Sequence, residues 1–284
     1  MSNRIRAPLR AALVVIVVVL GLALGGAVFE VLASTIDARL SPPGRLVDVG
    51  AHRLHLHCEG AGVPTVLFEA GGGNSSVTFR PLMRALAGET RVCAYDRAGY
   101  GYSSPVRADR DARLIATELV DLLERAGEAG PYLVVAHSMG GLYALALLDE
   151  HPEVVAGVAL VDVIPPTYLV PLPDPLASSI GLFDMCRSGL ARVGLWRLLG
   201  ALEASSRDLL DTIPEVPTVV MVAGARSADD WPPDDARWRD AQRALAGNAP
   251  GGRVVVIDGD HYLQLEHTER VASEITALLD LLRR

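Results

Sequence analysis

Six short runs constrain this chain most: Thr65–Glu69 (TVLFE), Val92–Tyr95, Tyr132–Ala136 (YLVVA), Val154–Val161, Thr218–Ala223 (TVVMVA) and Arg253–Ile257. Each is largely apolar along its whole length and is bounded by glycine, proline or charge. A strand exposed on one face would alternate, so runs apolar on both faces suit parallel strands buried between layers. Two further runs, Arg45–Val49 and His52–Cys58, flank Gly50-Ala51 and read as a hairpin. Helical stretches lie between. Ile115, Leu119, Leu122 and Ala126 share a face that ends at Gly127, and Val271, Ile275, Leu278, Leu279 and Leu282 form a second stripe. Leu142 to Leu148 is apolar nearly all round, as in a helix buried behind a sheet. Strands alternating with helices predict an α/β fold, a mostly parallel eight-stranded sheet covered by helices on both faces.

Two segments break the pattern. Residues 1–40 carry Arg4, Arg6 and Arg10 and then an uncharged apolar run from Ala11 to Phe29. At about 1.5 Å per residue that run is long enough to cross a bilayer core as a helix. It is expected to be an N-terminal transmembrane anchor or uncleaved signal, ending in a tether at "SPPGR" (Ser41 to Arg45). The N-terminal arginines favour holding that end in the cytoplasm, with residues 41–284 at the cell membrane's outer side. Val31-Leu32-Ala33 makes a poor cleavage site; cleavage there would make the protein secreted. The second break is an insertion over about 163–214, rich in proline at its start and then apolar and helical without a strand. Between two strands, such a segment is expected to form a lid over one end of the sheet.

Composition excludes some classes. The formal net charge is −8, every one of the 26 basic residues is arginine, and no basic stripe forms, so nucleic acid is not an expected partner. Cys58, Cys93 and Cys186 make no metal pattern; an exported domain would permit one disulfide, and Cys186 reads as a small core residue. No G-x-G-x-x-G follows the first strand and no Lys-Ser/Thr follows the glycines of "FEAGGGNSS". Neither a nicotinamide nor any other cofactor is expected.

The chemistry concentrates in "AHSMGG" (Ala136 to Gly141), where a strand runs straight into a helix. The small-x-Ser-x-small pattern is that of a nucleophile elbow, with Ala136 where glycine is usual. Its sharp turn presents Ser138 as the candidate nucleophile. A serine hydroxyl needs a base, and of seven histidines His261 is the candidate, in the loop just after the last strand. That loop lies at the same sheet edge as Ser138. His52, His55 and His57 alternate along one strand and read as solvent-facing edge residues, while His137 is expected to point away from the site. The acid that would orient His261 has two candidate positions. Asp162 ends the strand "VAGVALVD"; Asp229 and Asp230 follow the next strand. Asp260 is poorly aimed for the role. The backbone N–H groups of Met139 and of Gly72, in the glycine-rich loop, are the candidate donors to an oxyanion.

Taken in order, "EAGGGNSS", "RVCAYDRAGYGYS", "AHSMGG" and "GDHYLQLEH" resemble the α/β-hydrolase superfamily from about Arg45 to the C-terminus. The resemblance implies a cofactor-free, lid-bearing serine hydrolase acting on a small acyl substrate, an ester, lactone or amide. A serine rather than an aspartate at the nucleophile argues against epoxide hydrolase and haloalkane dehalogenase chemistry. It also implies that the hairpin strand and the fourth strand are neighbours, so that Cys58 and Cys93 lie close enough to pair. "YDRAGYGYS" resembles a tight structural turn of lid-bearing members. Alternatives on the same residues are acyl transfer, aminopeptidase activity, or a catalytically silent binding protein.

Overall fold

The computed structural model describes residues 42–106, 110–169, 209, 215–224, 236–247 and 249–284, together with 21, 24–26 and 28. Residues 43–173 and 201–284 group as one compact unit, which holds every described strand; residues 1–42 and 174–200 group separately. The expected anchor and most of the expected lid fall outside the described residues. Gly21, Leu24, Gly25, Gly26 and Val28 are helical. Among the described residues no helix is long and apolar enough to cross a membrane.

The strands are β1 (Arg45–Asp48), β2 (Arg53–Glu59), β3 (Thr65–Glu69), β4 (Val92–Asp96), β5 (Tyr132–His137), β6 (Val155–Val161), β7 (Thr218–Ala223) and β8 (Arg253–Ile257). They form one eight-stranded sheet in the order β1-β2-β4-β3-β5-β6-β7-β8. The β1–β2 and β2–β4 pairs are antiparallel and the rest are parallel. Every residue of β3, β4, β5 and β7 is buried, as their unbroken apolar sequence requires.

One face of the sheet packs on α1 (Arg80–Leu86), which follows a 3₁₀ turn at Ser76–Phe79. There Val66, Phe68, Leu133, Val135 and Met221 meet Phe79, Leu82, Met83 and Leu86 in a single cluster. Phe68 and Phe79 stack with ring centroids 4.7 Å apart. The other face carries α2 (Ala112–Ala126) and α3 (Gly140–Glu150), which pack on each other. Asp111 caps α2 by accepting the Leu114 N–H, and Gly127 closes it in the left-handed conformation at φ 71°. A short α4 (Pro166–Leu169) follows β6, and α5 (Ala236–Gly247) precedes β8. After β8 come α6 (Leu263–Glu266) and α7 (Thr268–Leu282), whose Val271, Ile275, Leu278 and Leu279 join the first face's cluster.

The hairpin strand corrects one expectation. β2 is not an edge: β1 covers one side of it and β4 the other. His55 is fully buried, with Nδ1 2.9 Å from Asp96 Oδ2 and Nε2 against the Pro43 carbonyl. His52, just before β2, and His57, two residues further along the same face as His55, are only partly exposed and face Glu118 and Glu59. The antiparallel register sets Cys58 opposite Cys93, and the two form a disulfide across 4.1 Å between α-carbons.

Burial pulls the His55 imidazolium down, but its hydrogen bonds to Asp96 and to the Pro43 carbonyl more than offset this, and its pKa is raised overall. Asp96 is likewise penalised by burial, yet bonds from His55 and from the Tyr102 and Ser76 N–H groups hold it below its ordinary value. A histidine raised in the folded state contributes stability that is complete below its unfolded pKa and lost as pH rises through the folded one. His55→Gln is therefore expected to lower Tm by about 2–10 °C at pH 6, the cost of leaving a buried carboxylate underpaired. The gap should narrow as pH is raised beyond the ordinary histidine range. His52 and His57, both shifted down, act with the opposite sign in wild type and variant alike and cancel in the difference. Thermal melts at half-unit pH steps check this; a gap constant with pH contradicts it.

Candidate active site

All the parallel strands end at one edge of the sheet, and three side chains from that edge meet. Ser138 follows β5, Asp162 follows β6, and His261 lies between β8 and α6. His261 Nε2 is 2.9 Å from Ser138 Oγ, and His261 Nδ1 is 2.6 Å from Asp162 Oδ2. Asp162 is fully buried and Ser138 nearly so, whereas His261 keeps a 22% exposed side chain. A carboxylate that accepts the Nδ1 proton fixes the tautomer, leaving the Nε2 lone pair for the serine hydroxyl. The arrangement can remove that proton as the oxygen attacks.

The backbone is bent to achieve this. Ser138 has φ 53° and Asp162 φ 45°; they are the only non-glycine residues with positive φ among those described. Such conformations cost on the order of 1–3 kcal/mol each and persist only where their surroundings over-determine them. Here the surroundings do so. The Ser138 carbonyl accepts from the Gly141 and Ile164 N–H groups, and the Ser138 N–H donates to Val161. The Asp162 N–H donates to Met221 at 2.7 Å, while its Oδ1 accepts from the Ala223 N–H at 3.2 Å.

The elbow packs hard on its neighbours. A Cβ on Gly140 would lie 2.5 Å from the Glu69 carbonyl oxygen and 2.8 Å from that of Ala70. Only glycine lets the first turn of α3 sit this close to the end of β3. Ala136, the departure from the usual pattern, is buried within β5 opposite Glu69 and Leu160.

Gly72 and Met139, the expected oxyanion donors, lie side by side: a Cβ on Gly72 would come within 3.0 Å of the Met139 thioether. Among the described residues neither N–H has a hydrogen-bond partner. Asp229 and Asp230 lie outside the described residues.

Two further contacts hold His261. His137 does not point away. Its Nε2–H donates to the His261 carbonyl at 2.9 Å, and its ring lies 4.7 Å from the His261 ring and 5.2 Å from that of Tyr262. Asp260 accepts the His261 N–H at 2.7 Å. The main chain of His261 is thus held at both its N–H and its carbonyl, on either side of the imidazole. Proximity in sequence signals Asp260, but nothing local signals the reach of His137 across to residue 261.

A family model described as the alpha/beta hydrolase fold matches residues 64–180. Among curated proteins, the chain is 30% identical over 121 residues to 2-(acetamidomethylene)succinate hydrolase of Mesorhizobium japonicum, covering 43% of each. Among solved structures it resembles the enol-lactonase of Burkholderia xenovorans, at TM-score 0.64 and 19% identity, over 83% of this chain and all of that one. It also resembles a bacterial membrane phospholipase A, at TM-score 0.60 and 23% identity, with complete coverage of both chains. The chain spans less than half the length of such curated relatives.

Gly140→Ala tests how tightly the elbow is built. Its methyl must push back two main-chain carbonyls, so a destabilisation of about 1–3 kcal/mol or more is expected, read by denaturant melts. Wild-type stability would mean that the contact between α3 and β3 is slack.

Proposed function

The chain has the α/β-hydrolase fold, and on that premise we propose that it is a serine hydrolase of small, lipophilic acyl substrates. The observation that carries the proposal is the continuous hydrogen-bonded line from Asp162 through His261 to Ser138. In this reading His261 Nε2 takes the Ser138 proton as Oγ attacks the acyl carbonyl. The charge that develops on the carbonyl oxygen is met by the N–H groups of Met139 and Gly72. The imidazolium, steadied by Asp162, then gives its proton to the leaving alcohol or amine. Water repeats the sequence from the other side and frees the acid and Ser138. Asp162 takes the acid's part in this reading because its Oδ2 lies 2.6 Å from His261 Nδ1.

The preference for a lipophilic group rests on the apolar composition of the segment Ile180 to Leu202, and the ester bond on the names of relatives that act as hydrolases or lactonases. We further propose that residues 11–29 anchor the protein in the cell membrane with the catalytic unit outside. The uncharged apolar run and the exposed Leu24 and Val28 support this. So does the Cys58–Cys93 disulfide, a bond that persists in oxidising compartments. Alkaline carbonate extraction tests the anchor: full-length protein should stay with the membranes, and its release contradicts the assignment.

A fluorophosphonate probe tests the chemistry. Wild type should be labelled, and Ser138→Ala should not. Asp162→Asn should lower kcat for a short-chain p-nitrophenyl ester by about 10³- to 10⁴-fold. Asp229→Asn and Asp230→Asn should stay near wild type. Labelling that persists in folded Ser138→Ala removes the serine mechanism, and a near-normal Asp162→Asn removes Asp162 from it.

A further inference from the structure

The turn "YDRAGYGYS" has no part in the mechanism above, yet its arginine lies beneath the glycine-rich loop. Arg97 is 4% exposed. Its Nη1 donates to Glu69 Oε1 at 2.5 Å and to the Ala70 carbonyl at 2.6 Å, and its Nη2 donates to the Gly71 carbonyl at 2.7 Å. The guanidinium lies against the rings of Tyr100 and Tyr143, 4.9 and 4.6 Å from their centroids. Glu69 also accepts from the Tyr95 hydroxyl at 2.5 Å. Two of these acceptors are not side chains. They are consecutive main-chain carbonyls of the loop that carries Gly72.

The Gly71 carbonyl and the Gly72 N–H belong to one planar trans peptide, so they point in opposite directions. A fork that grips the carbonyl from below turns the N–H outward. On that other side, a Cβ on Gly71 would lie 3.1 Å from Ser138 Cβ and 3.0 Å from His137 Nδ1, so the loop abuts the nucleophile. Three glycines in succession leave this peptide free to rotate. We propose that Arg97 is the positioning residue of the oxyanion site: it fixes the plane of the Gly71–Gly72 peptide and, through its charge on the carbonyl, strengthens the Gly72 N–H as a donor. Polarisation passes along the peptide because charge-assisted and chained hydrogen bonds reinforce one another in a low-dielectric interior. Lysine cannot do the same, since a single ammonium lacks the planar fork that spans two carbonyls and a carboxylate together.

The proposal rests on the serine-hydrolase reading, and its test separates the two. Arg97→Lys keeps the charge and loses the fork. Glu69→Gln with Arg97→Met removes the buried pair together, so no lone charge is left to unfold the protein. Each is assayed for ester hydrolysis per fluorophosphonate-titratable site, for inhibition by a trifluoromethyl ketone, whose serine adduct carries an oxyanion, and for Tm. Loss of a well-aimed donor predicts a fall in kcat of about 10- to 100-fold, with KM changed by less than about threefold. The inhibition constant of the ketone should rise in parallel with the fall in kcat/KM. An arginine that only props the fold gives the opposite result: lowered Tm, with kcat per titratable site and ketone affinity unchanged. That outcome in either folded variant overturns the proposal. Ester hydrolysis that persists in Ser138→Ala overturns instead the hydrolase reading, and Arg97 then has no oxyanion to serve.

Discussion

Two residues held in the left-handed conformation, at the ends of adjacent parallel strands, set the terms for the rest of this structure. Ser138 closes β5 and Asp162 closes β6, and the two strands are paired up to His137 and Val161. Neither residue has the freedom of glycine there, and together their backbones cost on the order of 2–6 kcal/mol. The strain is sustained by reciprocal main-chain bonds: Ser138 N–H to Val161, Ile164 N–H to Ser138, Asp162 N–H to Met221. Each runs between neighbouring strand ends, so the parallel register is what makes the bend tenable. The neighbouring strands β5 and β7 are fully buried, which keeps water from competing for those bonds.

Glu69, Asp96, Arg97 and Asp162, all buried, lie at the edge that carries this strain. Asp96 and Arg97 are consecutive, yet they serve opposite sides of the sheet's end. Asp96 takes His55 and the Ser76 and Tyr102 N–H groups; Arg97 takes Glu69 and the carbonyls of Ala70 and Gly71. The loop from Ala70 to Ser76 is thereby held at its start by one residue and at its end by the next. Gly101 completes the turn, since a Cβ there would fall 2.3 Å from the Asp96 carboxylate. A sequence of small residues and a single Asp-Arg pair thus converts a flexible glycine run into a fixed surface beside Ser138.

What the sequence displays, and what it hides, follows from how local each feature is. β3 and β7 match their apolar runs end for end, because burial on both faces is written in consecutive residues; β8 matches its run too, but as the edge strand it is only partly buried. The elbow is equally local. The oriented carboxylate is not: β6 and β7 are parallel neighbours, so residues after either strand arrive at the same edge. That Asp162 reaches His261 shows only in the φ of one residue and in a contact spanning 99 positions. His55 misled for a related reason. Alternation along β2 shows which residues share a face but not that β4 would cover its far side. The Cys58–Cys93 bond depends on that same pairing register, and His137 on a contact spanning 124 residues.

The distribution of restraint around His261 bears on how such a site could work. Its ring is tied at Nδ1 by a fully buried carboxylate, and its main chain is tied on both sides, by Asp260 at the N–H and His137 at the carbonyl. The ring can neither swing away from Ser138 nor exchange its tautomer without breaking one of these. Gly259 allows that loop to fold tightly, for a Cβ there would meet the His267 ring at 2.5 Å. On the opposite side of the nucleophile the glycine loop has no side chains to restrain it and is gripped through its carbonyls instead. The imidazole and the Gly71–Gly72 peptide, which the serine-hydrolase proposal makes proton acceptor and oxyanion donor, are therefore fixed by different means: side-chain and loop bonds for the one, a buried guanidinium for the other. Preorganisation of both requires that neither move as charge develops, and in this chain each is secured by groups that never touch the reacting atoms.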